Sequence, residues 1–119
     1  MKLKARKMPV IASALGLILL FAGAPAFAAS AQDDVVELRY ENRKFIPQSL
    51  DVPANRSFRI KIVNGSKEAI EFESFKLNRE KVVGPGETVT VTVPALKPGS
   101  YDFYDDFHRD VPEGKIVAK

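Results

Sequence analysis

The chain has 119 residues, 45% of them hydrophobic and 28% charged, with no cysteine and a formal net charge of +3. That length holds one domain with a single core. The missing cysteine excludes a disulfide framework and any thiolate metal site.

The start of the chain accounts for the positive charge. Lys2, Lys4, Arg6 and Lys7 precede an apolar run over residues 10–21, and Ala24-Pro25-Ala26-Phe27-Ala28 places small residues where a signal peptidase cuts. This predicts a secretory signal peptide over residues 1–28, cleaved between 28 and 31, and export to a bacterial periplasm. The apolar run falls short of the ~20 residues a membrane span needs, so no span is expected after cleavage. The leader holds four of the 18 basic residues and none of the 15 acidic ones, which leaves 14 against 15 and a net charge of −1. No nucleic-acid partner is expected of such a surface.

Residues 29–34 are small and polar and read as a flexible N-terminus; a domain over 35–119 follows. Val36, Leu38 and Tyr40 alternate with charged or polar neighbours, which predicts a half-buried strand ended by Asn42-Arg43-Lys44. The segment from Phe45 to Pro53 carries Pro47 and Pro53 and reads as an irregular edge with Phe45, Leu50 and Val52 turned inward. Phe58, Ile60 and Ile62 form the cleanest alternation, and Asn64-Gly65 is a turn signal. Ile70 and Phe72 share one face of the next strand, Glu71 and Glu73 the other. The polar stretch 76–81 is expected to be a loop or one helical turn. Gly84-Pro85-Gly86 turns into a strand with Val89, Val91 and Val93 inward. Pro98-Gly99 opens a final unit: an aromatic strand, a loop rich in carboxylates with His108, the only histidine, and a closing apolar strand. Short strands separated by turn signals predict an all-β protein, an antiparallel sandwich or barrel.

No nucleophile elbow, phosphate loop or nucleophile–base pair occurs, so a hydrolase is not expected. Glu71, Glu73, Asp105, Asp106, His108 and Glu113 offer carboxylate oxygens and one imidazole, a hard donor set suited to Cu(II), iron, Mn(II) or Zn(II). The competing reading of these residues is a salt-bridge network closed by Arg43, Lys76, Arg79 or Arg109, with no metal.

Several stretches in order resemble the cupredoxins: Phe45-Ile46-Pro47 through Leu50-x-Val52-Pro53-Ala54, Ile62-Val63-Asn64, Pro85-Gly86-Glu87-Thr88, Pro98-Gly99-x-Tyr101-x-Phe103-Tyr104 and Gly114-Lys115-Ile116-Val117. The resemblance covers almost all of the chain after the leader and implies a Greek-key β-sandwich with a metal at one end. Blue-copper members use two histidines, a cysteine and a methionine. By spacing, the first histidine falls at Glu71, the cysteine at Asp105, the second histidine at His108 and the methionine near Pro112 or Glu113. A thiolate is missing, so the implied site is type-2-like and not blue.

Glu71-Phe72-Glu73-Ser74, the 77–81 segment and Tyr104-x-x-Phe107-His108 look closest to the EfeO-type cupredoxin-like family, periplasmic domains associated with bacterial iron uptake. That resemblance implies a copper or iron ion held by Glu71, Glu73 and His108, with Asp105 and Glu113 as further ligands. It also implies an inner-membrane iron permease or another periplasmic iron-uptake protein as partner. Any activity would be redox chemistry of the metal, such as ferrous iron oxidation. The alternative is a β-sandwich of the cell envelope that binds a partner without metal.

Overall fold

The computed structural model describes residues 34–119, together with Lys4 and Gly23. The expected leader and the 29–33 segment otherwise lie outside the described residues. Among the described residues no helix is long and apolar enough to cross a membrane.

Among the described residues nine strands follow one another: β1 (Asp34–Glu41), β2 (Lys44–Ile46), β3 (Ser49–Val52), β4 (Phe58–Asn64), β5 (Ile70–Ser74), β6 (Arg79–Val83), β7 (Thr88–Val93), β8 (Gly99–Asp105) and β9 (Gly114–Ala118). They form a four-stranded sheet in the order β2-β1-β4-β7 and a five-stranded sheet in the order β3-β9-β8-β5-β6. The expected β-sandwich is present. Its sheets are mixed rather than purely antiparallel, because β1 runs parallel to β4 and β3 parallel to β9. Each of those pairs is joined by chain that passes through the opposite sheet, so the second strand returns in the same direction.

The alternating residues meet between the sheets. Leu38, Tyr40, Phe58, Ile60 and Ile62 from one sheet and Ile70, Phe72, Phe103 and Ile116 from the other belong to one buried cluster. Phe103 stands edge-on to Phe45 at 5.0 Å between centroids, and Phe72 lies 5.2 Å from Phe103. An edge-to-face pair contributes about 0.5–1.5 kcal/mol beyond its buried area. Phe45 and Leu50 sit on β2 and β3, outer strands of different sheets, so the proline-bearing segment is where the chain changes sheet.

Two connections show why the chain turns where it does. Asn42 and Arg43 both adopt left-handed backbone, with φ of 50° and 58°, and close a two-residue hairpin between Glu41 and Lys44. The 76–81 stretch is not a loop: β6 begins at Arg79, after a turn in which Asn78 has φ 51°. The strand escapes pattern reading because it is an outer strand and only Val83 in it is buried.

Among the described residues three polar ones are buried: Asn64, Ser74 and Asp105. The Asn64 side-chain amide donates to the carbonyls of Glu68, Val83 and Gly84 at 2.8, 3.0 and 3.1 Å, and its oxygen accepts from the Ser66 N–H and hydroxyl. One side chain thus ties the end of β4 to the turn after β6. Asn64→Ala would strand those carbonyls, and a loss on the order of 3 kcal/mol is expected in urea unfolding. Gly114 faces the opposite limit. A Cβ there would stand 2.3 Å from Phe103 Cζ and 3.0 Å from the Gln48 carbonyl oxygen. Gly114→Ala should therefore overpack the centre of the core and lower stability by ~1–3 kcal/mol in the same measurement.

Candidate metal centre

Alternation decides what β5 and β8 present. On β5, Ile70, Phe72 and Ser74 are buried, so Glu71 and Glu73 face outward. On β8, Phe103 and Asp105 are buried and Tyr104 is outward. Asp106, the first residue after the strand, is exposed. Ligand-capable oxygens of Glu71, Glu73 and Asp106 all lie within 4.8 Å of one another. The backbone sets this up: Glu73 is opposite Tyr104, and the Asp106 N–H donates to the Glu71 carbonyl at 2.9 Å. Glu80, opposite Glu73 on β6, adds a fourth carboxylate at the border.

The cluster is short of positive charge. Partial burial, and then the nearby Glu80, Asp106, Glu73 and Asp105 charges, push the Glu71 carboxyl above its usual value. The four basic residues that could have closed a salt-bridge network are mostly engaged elsewhere. Arg43 holds Asp110 at 2.5 Å, Lys76 holds Asp102 at 3.2 Å, and the Arg79 Nε donates to the Thr92 carbonyl at 2.9 Å. Of the four only Arg109 comes within ion-pair distance of the cluster. It stands 3.7 Å from Asp106 and its guanidinium lies 3.6 Å from the centre of the Tyr104 ring.

Asp105 and His108 occupy a second place, behind the first. The buried Asp105 accepts at Oδ1 from the Glu71 N–H at 3.0 Å and the Phe107 N–H at 3.1 Å. Its Oδ2 lies 2.7 Å from His108 Nδ1, and His108 Nε2 lies 2.9 Å from a Glu68 carboxylate oxygen. The Tyr40 phenol is pushed up to about 12, first by burial and then by the adjacent Asp105 charge. Glu113 is in a third place: its carboxylate is 3.7 Å from Arg109, and its carbonyl accepts from the Gln48 amide at 2.9 Å.

The five expected ligands are therefore divided among three places. Glu71 and Glu73 are together, Asp105 and His108 are together, and Glu113 is apart. The third member of the outer cluster is Asp106, one residue from the expected Asp105. Strand parity carried that signal, since Asp105 shares the side of buried Phe103 and Asp106 that of Tyr104. Glu68 had no sequence signal, because its contact to His108 joins two loops distant in the chain.

This donor set does not fit a blue-copper centre, which needs a thiolate, and the chain has no cysteine. Converging carboxylates whose mutual repulsion a cation would relieve do fit a hard ion. The repulsion has a pH signature. Folded Glu71 keeps its proton to higher pH than the unfolded chain, so stability falls as pH rises from its ordinary value of 4.5 through the raised one. Metal-free Glu71→Gln should unfold at a higher temperature than the wild type at neutral pH. The advantage should shrink as the pH drops below 4.5, a comparison that thermal melts followed by circular dichroism can make.

A family model described as a cupredoxin-like domain matches residues 11–118. An uncharacterized protein of Rickettsia prowazekii (strain Madrid E) is 37% identical over 88 residues, 72% of this chain and 70% of that protein. Reduced auracyanin from Roseiflexus castenholzii superposes with a TM-score of 0.62 at 16% identity, covering 73% of this chain and 98% of that one. Auracyanin A, a "blue" copper protein of Chloroflexus aurantiacus, gives 0.61 at 18% identity, over 71% of this chain and 98% of that one. A purple cupredoxin of Nitrosopumilus maritimus gives 0.53 at 14% identity, over 73% and 100%. At such identities the structures share the fold alone. The family model spans nearly the whole chain, and the chain belongs to the cupredoxin-like domain family.

Proposed function

We propose that this chain is an exported, periplasmic metal-binding protein that takes iron or copper(II) at Glu71, Glu73 and Asp106 and handles the ion for an uptake system. The observation that carries this reading is the convergence of three carboxylates within 4.8 Å on the outer face of the five-stranded sheet. An all-oxygen set of this kind favours hard, oxidised ions over Cu(I). The leader-like start of the sequence supports export, and the EfeO-type resemblance supports a role in iron handling beside an inner-membrane permease.

A partner surface has its own support. Phe107, next to Asp106, is 49% exposed, and Phe75, just past the end of β5, is 88% exposed. Apolar side chains beside an acidic face suit a docking site from which an ion is handed on. The same feature favours the second reading, a partner-binding sandwich without metal.

Thermal unfolding of the metal-free protein with Fe(III), Cu(II), Zn(II) and Mn(II) separates the two. An ion at a hundred times its Kd adds about 2.7 kcal/mol, a shift on the order of 10 °C in a domain of this size. The shift should be lost in Glu71→Gln and Asp106→Asn. No shift with any ion would sink the metal reading and leave the docking one.

A further inference from the structure

We propose that Asp105 and His108 act as a clasp that sets the distance between the ligand-bearing segments, rather than as ligands; this rests on the metal reading above. The ladder between β5 and β8 has only two residue pairs, Phe72 with Asp105 and Glu73 with Tyr104. Beyond Asp105 the chain leaves the sheet, at the point where Glu71 and Asp106 must be held together. The Asp106 N–H to Glu71 carbonyl bond supplies one tie there. The Asp105 side chain supplies the rest.

A single oxygen, Oδ1, receives the N–H of Glu71 and the N–H of Phe107. It fixes the backbone of one ligand and the residue that follows the other. The second oxygen, Oδ2, is held at 2.7 Å by His108 Nδ1. The far nitrogen of the ring reaches Glu68, which lies on the connection leading into β5. The loop itself is wound to keep the ring in place: the His108 N–H donates to the Asp105 carbonyl at 3.1 Å, the Val111 N–H to the His108 carbonyl at 3.0 Å, and Val111 is buried.

Neither group is free to turn outward. The Asp105 side chain is fully buried, on the core side of the sheet with its partner Phe72, whereas Glu71 and Glu73 face outward. His108 has a carboxylate at each ring nitrogen. Residues of this kind, which hold ligands without touching the ion, typically cost 10–100-fold in metal affinity when removed.

The test uses Cu(II) and Mn(II) on wild type, His108→Ala, His108→Asn and Glu71→Gln. Asparagine keeps a donor at the position of Nδ1 and loses the reach to Glu68. His108→Ala should bind roughly 10–100-fold more weakly, and His108→Asn should recover much of the loss. Electron paramagnetic resonance of the wild-type Cu(II) form should show oxygen coordination without imidazole nitrogen coupling. Nitrogen coupling that vanishes in His108→Ala would make His108 a ligand and overturn the clasp. Equal affinity in all three His108 forms would overturn it too. If the wild type binds neither ion, the metal reading fails by itself, and amide hydrogen exchange decides the clasp. The Glu71 and Phe107 N–H groups should be protected in the wild type and lose protection in His108→Ala; unchanged protection would remove the clasp.

Discussion

The narrowest point of this structure is the seam between β5 and β8. Two residue pairs join the β5–β6 hairpin to the rest of its sheet. Backbone pairing so short cannot fix a strand, and buried side chains extend it in both directions. At one end Asp105 accepts from the Glu71 N–H; at the other the Ser74 hydroxyl donates to the Asp102 carbonyl at 2.7 Å. Asn64 does the same work at the end of β4. Among the described residues, the three buried polar side chains thus each bond backbone groups at or near a strand end. A buried carboxylate is costly unless its lone pairs are satisfied, and Asp105 accepts two N–H bonds at Oδ1 and has His108 Nδ1 2.7 Å from Oδ2. Satisfied in this way, it specifies one geometry for the strands it joins.

The fold family places a soft thiolate among its copper ligands. By spacing, Asp105 stands at that position here, and it faces inward, engaged by hydrogen bonds. The carboxylates able to meet a cation lie instead on the outer face of the sheet. One step of strand parity, between Asp105 and Asp106, separates the inward carboxylate from the outward cluster.

Much of this was legible in the sequence, for a definite reason. Strands with one apolar face announce themselves, as Phe58, Ile60 and Ile62 do on β4. β6 was not legible, because Glu80, Lys81 and Val82 are all exposed and only Val83 enters the core. The parallel pairings were hidden because alternation reports which face is buried and says nothing about which strand lies alongside. In the site, Glu71 and Glu73 were read correctly as one outward pair. Asp105 lies behind that pair because Phe103 fixes its side of the strand as the inward one, and Glu113 lies beyond a loop that turns back through His108 and Val111.

The position of β9 has a consequence for how the chain reaches this state. Of the strands described, β9 is the last in sequence, yet it lies inside its sheet, between β3 and β8. β3 is made early and has no sheet neighbour until residues 114–118 arrive to run parallel with it. Until that pairing forms, Leu50 and Val52 lie on a strand with an open hydrogen-bonding edge, the kind of surface that recruits stray strands. Pairings this remote in sequence also close late and slowly. A chain of this design cannot complete its five-stranded sheet before residues 114–118 are in place between β3 and β8.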